Sequence, residues 1–199
     1  MGQINMANEV GRGEIEGFRQ SIDGPHNWHI LITGPSGSGK TYLSNVLKLQ
    51  GINTYDADKV VGLTGWFDKS GGAIEFPSEA GKDFLDDHAF LWNREVLVDF
   101  LFKHPSVYMF GISRNVFEMI DLFHRVYFLQ VPQAVLTERL QAADRDNPMG
   151  GTAYQIEYSL MWARRNEEKA QTLGVPMIDG TLPAERILSQ IREGVSAWT

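Results

Sequence analysis

Cysteine is absent from all 199 residues. That excludes a disulfide framework and any Cys-ligated zinc site. It suits a reducing compartment, and a cytoplasmic location is expected. No apolar run reaches the roughly 18 residues that read as a membrane helix, so no membrane association is expected. The first residues lack the basic-then-apolar pattern of a secretion leader. Basic residues are in the minority: 18 Lys and Arg face 25 Asp and Glu, for a formal net charge of −7. Tracking a long nucleic acid needs clustered Lys and Arg, so such a partner is not expected. The histidines, His26, His29, His88, His104 and His124, are scattered without metal-ligand spacing.

What is present is ordinary for one globular domain, with a hydrophobic fraction of 43%. Residues 1–27 stand apart as a polar, Gly-rich N-terminal extension, with Ile15, Phe18 and Ile22 at helical spacing. From residue 28 to 199 short apolar runs alternate with helical patterns. Strands are expected at 28–33, 52–55, 106–112, 125–131 and 175–178. Helices are expected at 41–50, 88–103, 114–122, 133–143, 153–173 and 183–198, with Gly51 stopping the first. Alternation of this kind predicts an α/β fold: a parallel sheet with helices on both faces. Ligands of such sheets sit at the carboxyl ends of the strands.

The first strand runs into Gly34-Pro35-Ser36-Gly37-Ser38-Gly39-Lys40-Thr41. This is the spacing G-x-x-x-x-G-K-[ST] of a phosphate-binding loop. Gly34, Gly37 and Gly39 let the backbone turn several N–H groups towards one phosphate, and the following helix adds its N-terminal partial charge. Lys40 suits the β- and γ-phosphates of a nucleotide, and Thr41 suits Mg²⁺.

A hydrolase of this kind normally carries a metal-holding carboxylate at the end of a long apolar strand. Here the third strand ends in "YMFGISRN" and the fourth in "FLQVPQ", neither with an Asp or Glu. The guanine-reading pattern Asn-Lys-x-Asp and a second Gly-rich transporter signature are missing too. Acid appears instead after the second strand, as Asp56-Ala57-Asp58. The pair can divide two tasks, Asp56 near Mg²⁺ or its water shell and Asp58 at an acceptor hydroxyl. The pair also suits a solvated turn, with Asp58 capping a short helix from Lys59, although the site is the favoured reading.

The phosphate loop, the "DAD" after strand two and the Arg-bearing stretch before the long helix resemble the nucleoside-monophosphate-kinase-like group. Its small members include shikimate kinase, gluconate kinase and adenylate kinase, and the resemblance covers about residues 28–198. It implies a three-layer P-loop NTPase fold with five parallel strands in the order 2-3-1-4-5. It further implies an acceptor-binding insert after strand two, matched by 59–87, and a lid after strand four, matched by 139–151. The insert carries Trp66, Phe67 and Phe76, suited either to stacking on a ring or to a small satellite core. Arg114 and Asn115 stand where shikimate kinases have a Gly-Gly-Gly run.

The resemblance places Lys40, Asp58, Arg139 and Arg145 in catalysis. It assigns ATP to residues 34–41 (Gly34, Pro35, Ser36, Gly37, Ser38, Gly39, Lys40, Thr41) with Asp179 and Gly180. The acceptor falls to Asp56, Asp58, Trp66, Arg114 and Arg164, and Mg²⁺ to Thr41 and Asp56. Arg164 also has Glu168 one turn on as a plain surface partner. The expected activity is transfer of the ATP γ-phosphate to a small metabolite, nucleoside or nucleotide by a monomer or homodimer. A regulatory ATPase module and a kinase acting on a nucleic-acid base or end are the alternatives.

Overall fold

The computed structural model describes residues 28–77, 79–142 and 149–196. The N-terminal extension and residues 143–148 of the expected lid, Arg145 among them, therefore lie outside the described residues.

Five parallel strands form the central sheet: β1 (His29–Thr33), β2 (Thr54–Asp56), β6 (Val107–Phe110), β7 (Arg125–Gln130) and β8 (Met177–Asp179). Their order is β2-β6-β1-β7-β8. In the order of the expected strands this is 2-3-1-4-5. The short apolar runs are buried on both faces, as parallel strands under helices must be. Alternation within β1 divides the core. Ile30 and Ile32 pack with Leu43 and Leu47 of α1 (Lys40–Leu49) and with Ile187 and Ile191 of the C-terminal helix (Ala184–Ser196). Leu31 points the other way, to Leu97 and Leu101 of α3 (Arg94–Lys103) and to Phe117. Gly51, at φ 75, ends α1 and its N–H bonds to the Lys48 carbonyl. Among the described residues no helix is long and apolar enough to cross a membrane.

The region after β2 differs from expectation. It holds a second, antiparallel sheet of order β4-β3-β5, built from β3 (Thr64–Phe67), β4 (Ala73–Ile74) and β5 (Ala89–Trp92). The insert thus runs to residue 92 and also contains α2 (Lys82–Asp87). The helix expected over 88–103 splits because Asn93 is a helix N-cap. Its side chain accepts from the Glu95 and Val96 amides, so α3 starts at Arg94 and β5 ends before it. The insert has its own aromatic core, with Trp66 stacked on Phe76 at 5.0 Å between centroids.

The helix expected over 114–122 is two short 3₁₀ turns, Val116–Glu118 and Ile120–Leu122. The reason is Asn115. Instead of capping a helix, its amide oxygen accepts from the Trp92 N–H (2.9 Å) and its amide nitrogen donates to the Trp92 carbonyl (3.0 Å). One side chain thereby pairs with strand β5 as a backbone would, and the Arg114 N–H adds a bond to the Phe90 carbonyl at 2.9 Å. Asn115→Ala is expected to lower stability by about 1–3 kcal/mol, since it leaves two backbone groups of Trp92 unpaired. Urea unfolding checks this through the midpoint.

The remaining helices are α4 (Gln133–Gln141) and α5 (Ala153–Thr172), with α6 (Ala184–Ser196) closing the first face.

Candidate active site

A cleft of about 930 Å³ opens at the carboxyl ends of β1, β2 and β6, between the phosphate loop and the insert. Its nucleotide side is set by the turn from β1 into α1. Gly34, Gly37 and Gly39 have φ of 151, 84 and 93°, conformations that side chains resist. A Cβ on Gly34 would also stand 2.8 Å from the Leu129 carbonyl oxygen. No side chain caps α1 at Gly39, so its first amides face the loop. Lys40 Nζ donates to the Gly34 carbonyl (2.6 Å) and the Pro35 carbonyl (2.8 Å). This is the cradle that a polyphosphate fits: turned amides, a helix N-terminus and an ammonium within one turn.

Two further elements reach that cradle. Arg139 of α4 donates from Nη1 to the Gly37 carbonyl at 3.0 Å. The loop after β8 approaches so closely that a Cβ on Gly180 would meet Val131 at 2.7 Å and the Ser38 carbonyl at 3.2 Å. Gly180 lines the cleft but Asp179 does not. The Asp179 carboxylate instead accepts from the amide (2.8 Å) and hydroxyl (2.6 Å) of Thr181. Those bonds hold it below the usual carboxylate range. Its expected place at the nucleotide is thus taken by a turn-building role.

The opposite side carries the carboxylates. Asp56 caps the 3₁₀ turn Ala57–Lys59, its Oδ1 accepting from the Asp58 amide at 3.1 Å. The cap is therefore Asp56, and the expected capping of a helix by Asp58 does not occur. Asp58 is left to line the cleft. The residue is exposed at its surface, yet the cleft around it removes much of the wider hydration of its carboxyl. That desolvation, helped by the Asp56 charge and opposed by Lys40, pushes the Asp58 carboxyl up to about 6. A carboxyl with such a value near neutral pH is suited to accept a proton.

For Mg²⁺ the chain offers the Thr41 hydroxyl with Asp56 and Asp58, all hard oxygen donors. Among the described residues no group of three or more His, Asp or Glu is gathered as a metal cage. The donor set fits an ion held chiefly by phosphates and water, as Mg²⁺ prefers.

The part of the cleft where an acceptor is expected is walled by the insert and α5. Trp66, Phe76 and Phe90 line it, joined by Tyr158 and Trp162. Trp66 is therefore both satellite core and cleft wall. Arg114 lies over the Trp162 ring at 4.7 Å and donates from Nη2 to the Tyr158 hydroxyl at 2.9 Å. Arg164 does not belong here. It pairs with Glu168 at 3.2 Å, with side chains 82% and 63% exposed, away from the cleft. Sequence reasoning missed Tyr158, Trp162 and the anchoring role of Asn115. The signal for the first two was present: Tyr154, Tyr158 and Trp162 recur every fourth residue on one helix face.

Sheet order, phosphate loop and insert together define a P-loop fold of the nucleoside-monophosphate-kinase-like group. A family model described as AAA domain matches residues 30–169, and the chain belongs to this family. Among solved structures the chain is similar to shikimate kinase from Acinetobacter baumannii in complex with shikimate. The TM-score is 0.58 and the identity 16%, covering 90% of this chain and 98% of that one. Shikimate kinase from Bacteroides thetaiotaomicron gives 0.55 at 16% identity, over 83% and 97% of the two chains. A gluconokinase from Sinorhizobium meliloti 1021 gives 0.50 at 16% identity, over 86% and 93%. At these identities the likeness is one of fold. No curated protein matches the sequence.

Proposed function

We propose that this chain is an ATP- and Mg²⁺-dependent phosphotransferase acting on a small acceptor bound between the insert and α5. MgATP, when bound, supplies the γ-phosphoryl group and the divalent charge. The loop amides and Lys40 hold the phosphates, and Arg139 stands beside them to meet charge that spreads over the transferring group. Asp58 orients the acceptor hydroxyl and takes its proton as the new O–P bond forms and the bond to ADP breaks.

The observation that carries this reading is the placement of Asp58. A carboxyl raised towards neutrality lines the same cleft as the phosphate loop and the aromatic residues of the insert. Strand β6 ends at Phe110 and is followed by Gly111, where a hydrolase carries its metal-holding acid. The structural likeness to shikimate kinases and a gluconokinase supports a small acceptor over a polymer.

The test is ATP-to-ADP turnover with product mass analysis across sugars, cyclic hydroxy acids, nucleosides and nucleotides. A phosphorylated product in step with ADP supports the kinase. Steady ADP release with no acceptor in any arm favours a slow ATPase module and overturns the proposal.

A further inference from the structure

The buried polar side chains of the described residues are mostly paired. Ser44 and Thr54 bond to each other, and Ser113 donates to Asn115. Gln155 of α5 is fully buried and saturated. Its Oε1 accepts from the Gly150 and Gly151 amides, and its Nε2 donates to the Ala80 carbonyl at 3.1 Å. Asn166 lies about three turns further along the same helix. It is only 7% exposed and lines the cleft, yet among the described residues its carboxamide has no hydrogen-bond partner. Thr33 also lacks one, but it does not line the cleft. A buried amide offers two donors and an acceptor, and leaving them unmet costs free energy. Such a cost is expected where a ligand supplies the missing partner.

The neighbours of Asn166 fix where on the cleft wall it stands. Trp162, one turn before it, lies under the Arg114 guanidinium. Ala163 packs with Val131 and Leu136. Leu136 in turn flanks the phosphate loop, since a Cβ on Gly37 would lie 3.6 Å from Leu136 and 3.6 Å from Arg139. On the other side Glu167 accepts from Gln130 Nε2, and the Gln130 carbonyl takes the Gly180 amide at 2.8 Å. Gly180 is the residue that closes on Ser38. Helix α5 thus passes from the insert to the flank of the phosphate loop, and Asn166 lies at that passage. Positive charge is already present there in Lys40 and Arg139. A terminal phosphoryl group also needs donors for its three oxygens, and a carboxamide supplies them without adding charge.

We infer that Asn166 donates from its carboxamide to an oxygen of the γ-phosphoryl group of bound MgATP, so that the cleft distinguishes the triphosphate from the diphosphate. This rests on the reading of the phosphate loop as the MgATP site.

Calorimetry on the full chain tests it with two probes, MgADP and the magnesium complex of β,γ-imido-ATP. Asn166→Leu, close in shape, is expected to weaken the imido-ATP complex about 10- to 100-fold, the value of a hydrogen bond to a charged group. MgADP affinity should stay within about twofold, because the contact is to the phosphoryl group that ADP lacks. Without nucleotide the variant should melt no lower than the parent, since an unpaired buried amide has been removed. Asn166→Asp keeps the shape and sets a like charge against the phosphate, so it should weaken imido-ATP further still. It also serves should Asn166→Leu fail to fold.

Imido-ATP affinity that survives both substitutions overturns the inference. So do equal losses for the two nucleotides, or no nucleotide binding by the unmodified chain. A lower melting point with both affinities unchanged marks a merely structural amide and overturns it as well. The kinase reading fails separately. A selective loss of imido-ATP in Asn166→Leu, for a chain that releases ADP but phosphorylates no acceptor, overturns that reading and leaves this one standing. Phosphate transfer to an acceptor, with imido-ATP affinity unmoved by either substitution, does the reverse.

Discussion

Lys40→Ala is expected to leave a folded protein whose ATP turnover falls by at least about 10²–10³-fold. That magnitude is the usual cost of removing one preorganised charged donor from a transferring group. The fold should survive because the Lys40 ammonium is only part-buried and bonds to two loop carbonyls, Gly34 and Pro35, that solvent can satisfy. The glycine conformations and the packing of Leu43 and Leu47 beneath the loop do not involve it. A second consequence follows from its neighbour. Lys40 draws the Asp58 carboxyl down, against the desolvation that raises it. Without the ammonium, Asp58 should titrate higher, and the acid limb of any residual activity should move to higher pH. Steady-state turnover with calorimetry of MgATP binding checks both. Unchanged turnover with unchanged MgATP affinity would falsify the nucleotide assignment.

The parts legible in the sequence share a physical cause. "HILIT" and "RVYFLQ" are apolar on both faces because helices cover both, and that continuous pattern survives in any parallel sheet. The phosphate loop is legible because few residues tolerate its backbone. The insert is different. Thr64–Phe67 is half-buried throughout and Ala73–Ile74 is exposed, so neither strand carries a clean alternation. Their pairing comes from the chain around them: the Asp68 carboxylate gathers the Ser70 and Gly72 amides into the β3–β4 turn. Asn115 misleads for the same reason. The stretch 114–122 reads as a helix, and only the tertiary position of Trp92 draws the Asn115 amide to strand β5. Arg114 and Arg164 carry the same charge and look alike in sequence. What separates them is that one stands over Trp162 and the other over Glu168.

Asp58→Asn should lower kcat by about 10²–10⁴-fold with the true acceptor, the usual contribution of a positioned general base. MgATP affinity should change far less. The cap does not confuse the experiment, because the side chain that caps the 57–59 turn is that of Asp56. In the unmodified protein the base must be ionised to act. Activity is therefore expected to be full above pH about 6 and to fall as pH drops through it. Asn at this position should flatten that limb. Stability should move the opposite way. The Asp58 carboxyl titrates near 3.8 when unfolded and about 6 when folded, so between those values the folded chain holds the extra proton. The ionised group thus costs stability as pH rises through that window. The cost is absent below about 4 and complete above about 6. Asp58→Asn removes it, so the variant should melt higher than the parent at pH 7 and match it below pH 4. A gain in stability together with a collapse in kcat is the signature of a strained catalytic base. An exposed carboxylate of no function gives neither. Near-normal kcat across pH 5–8, with melting curves that overlay at pH 7, would remove Asp58 from the mechanism.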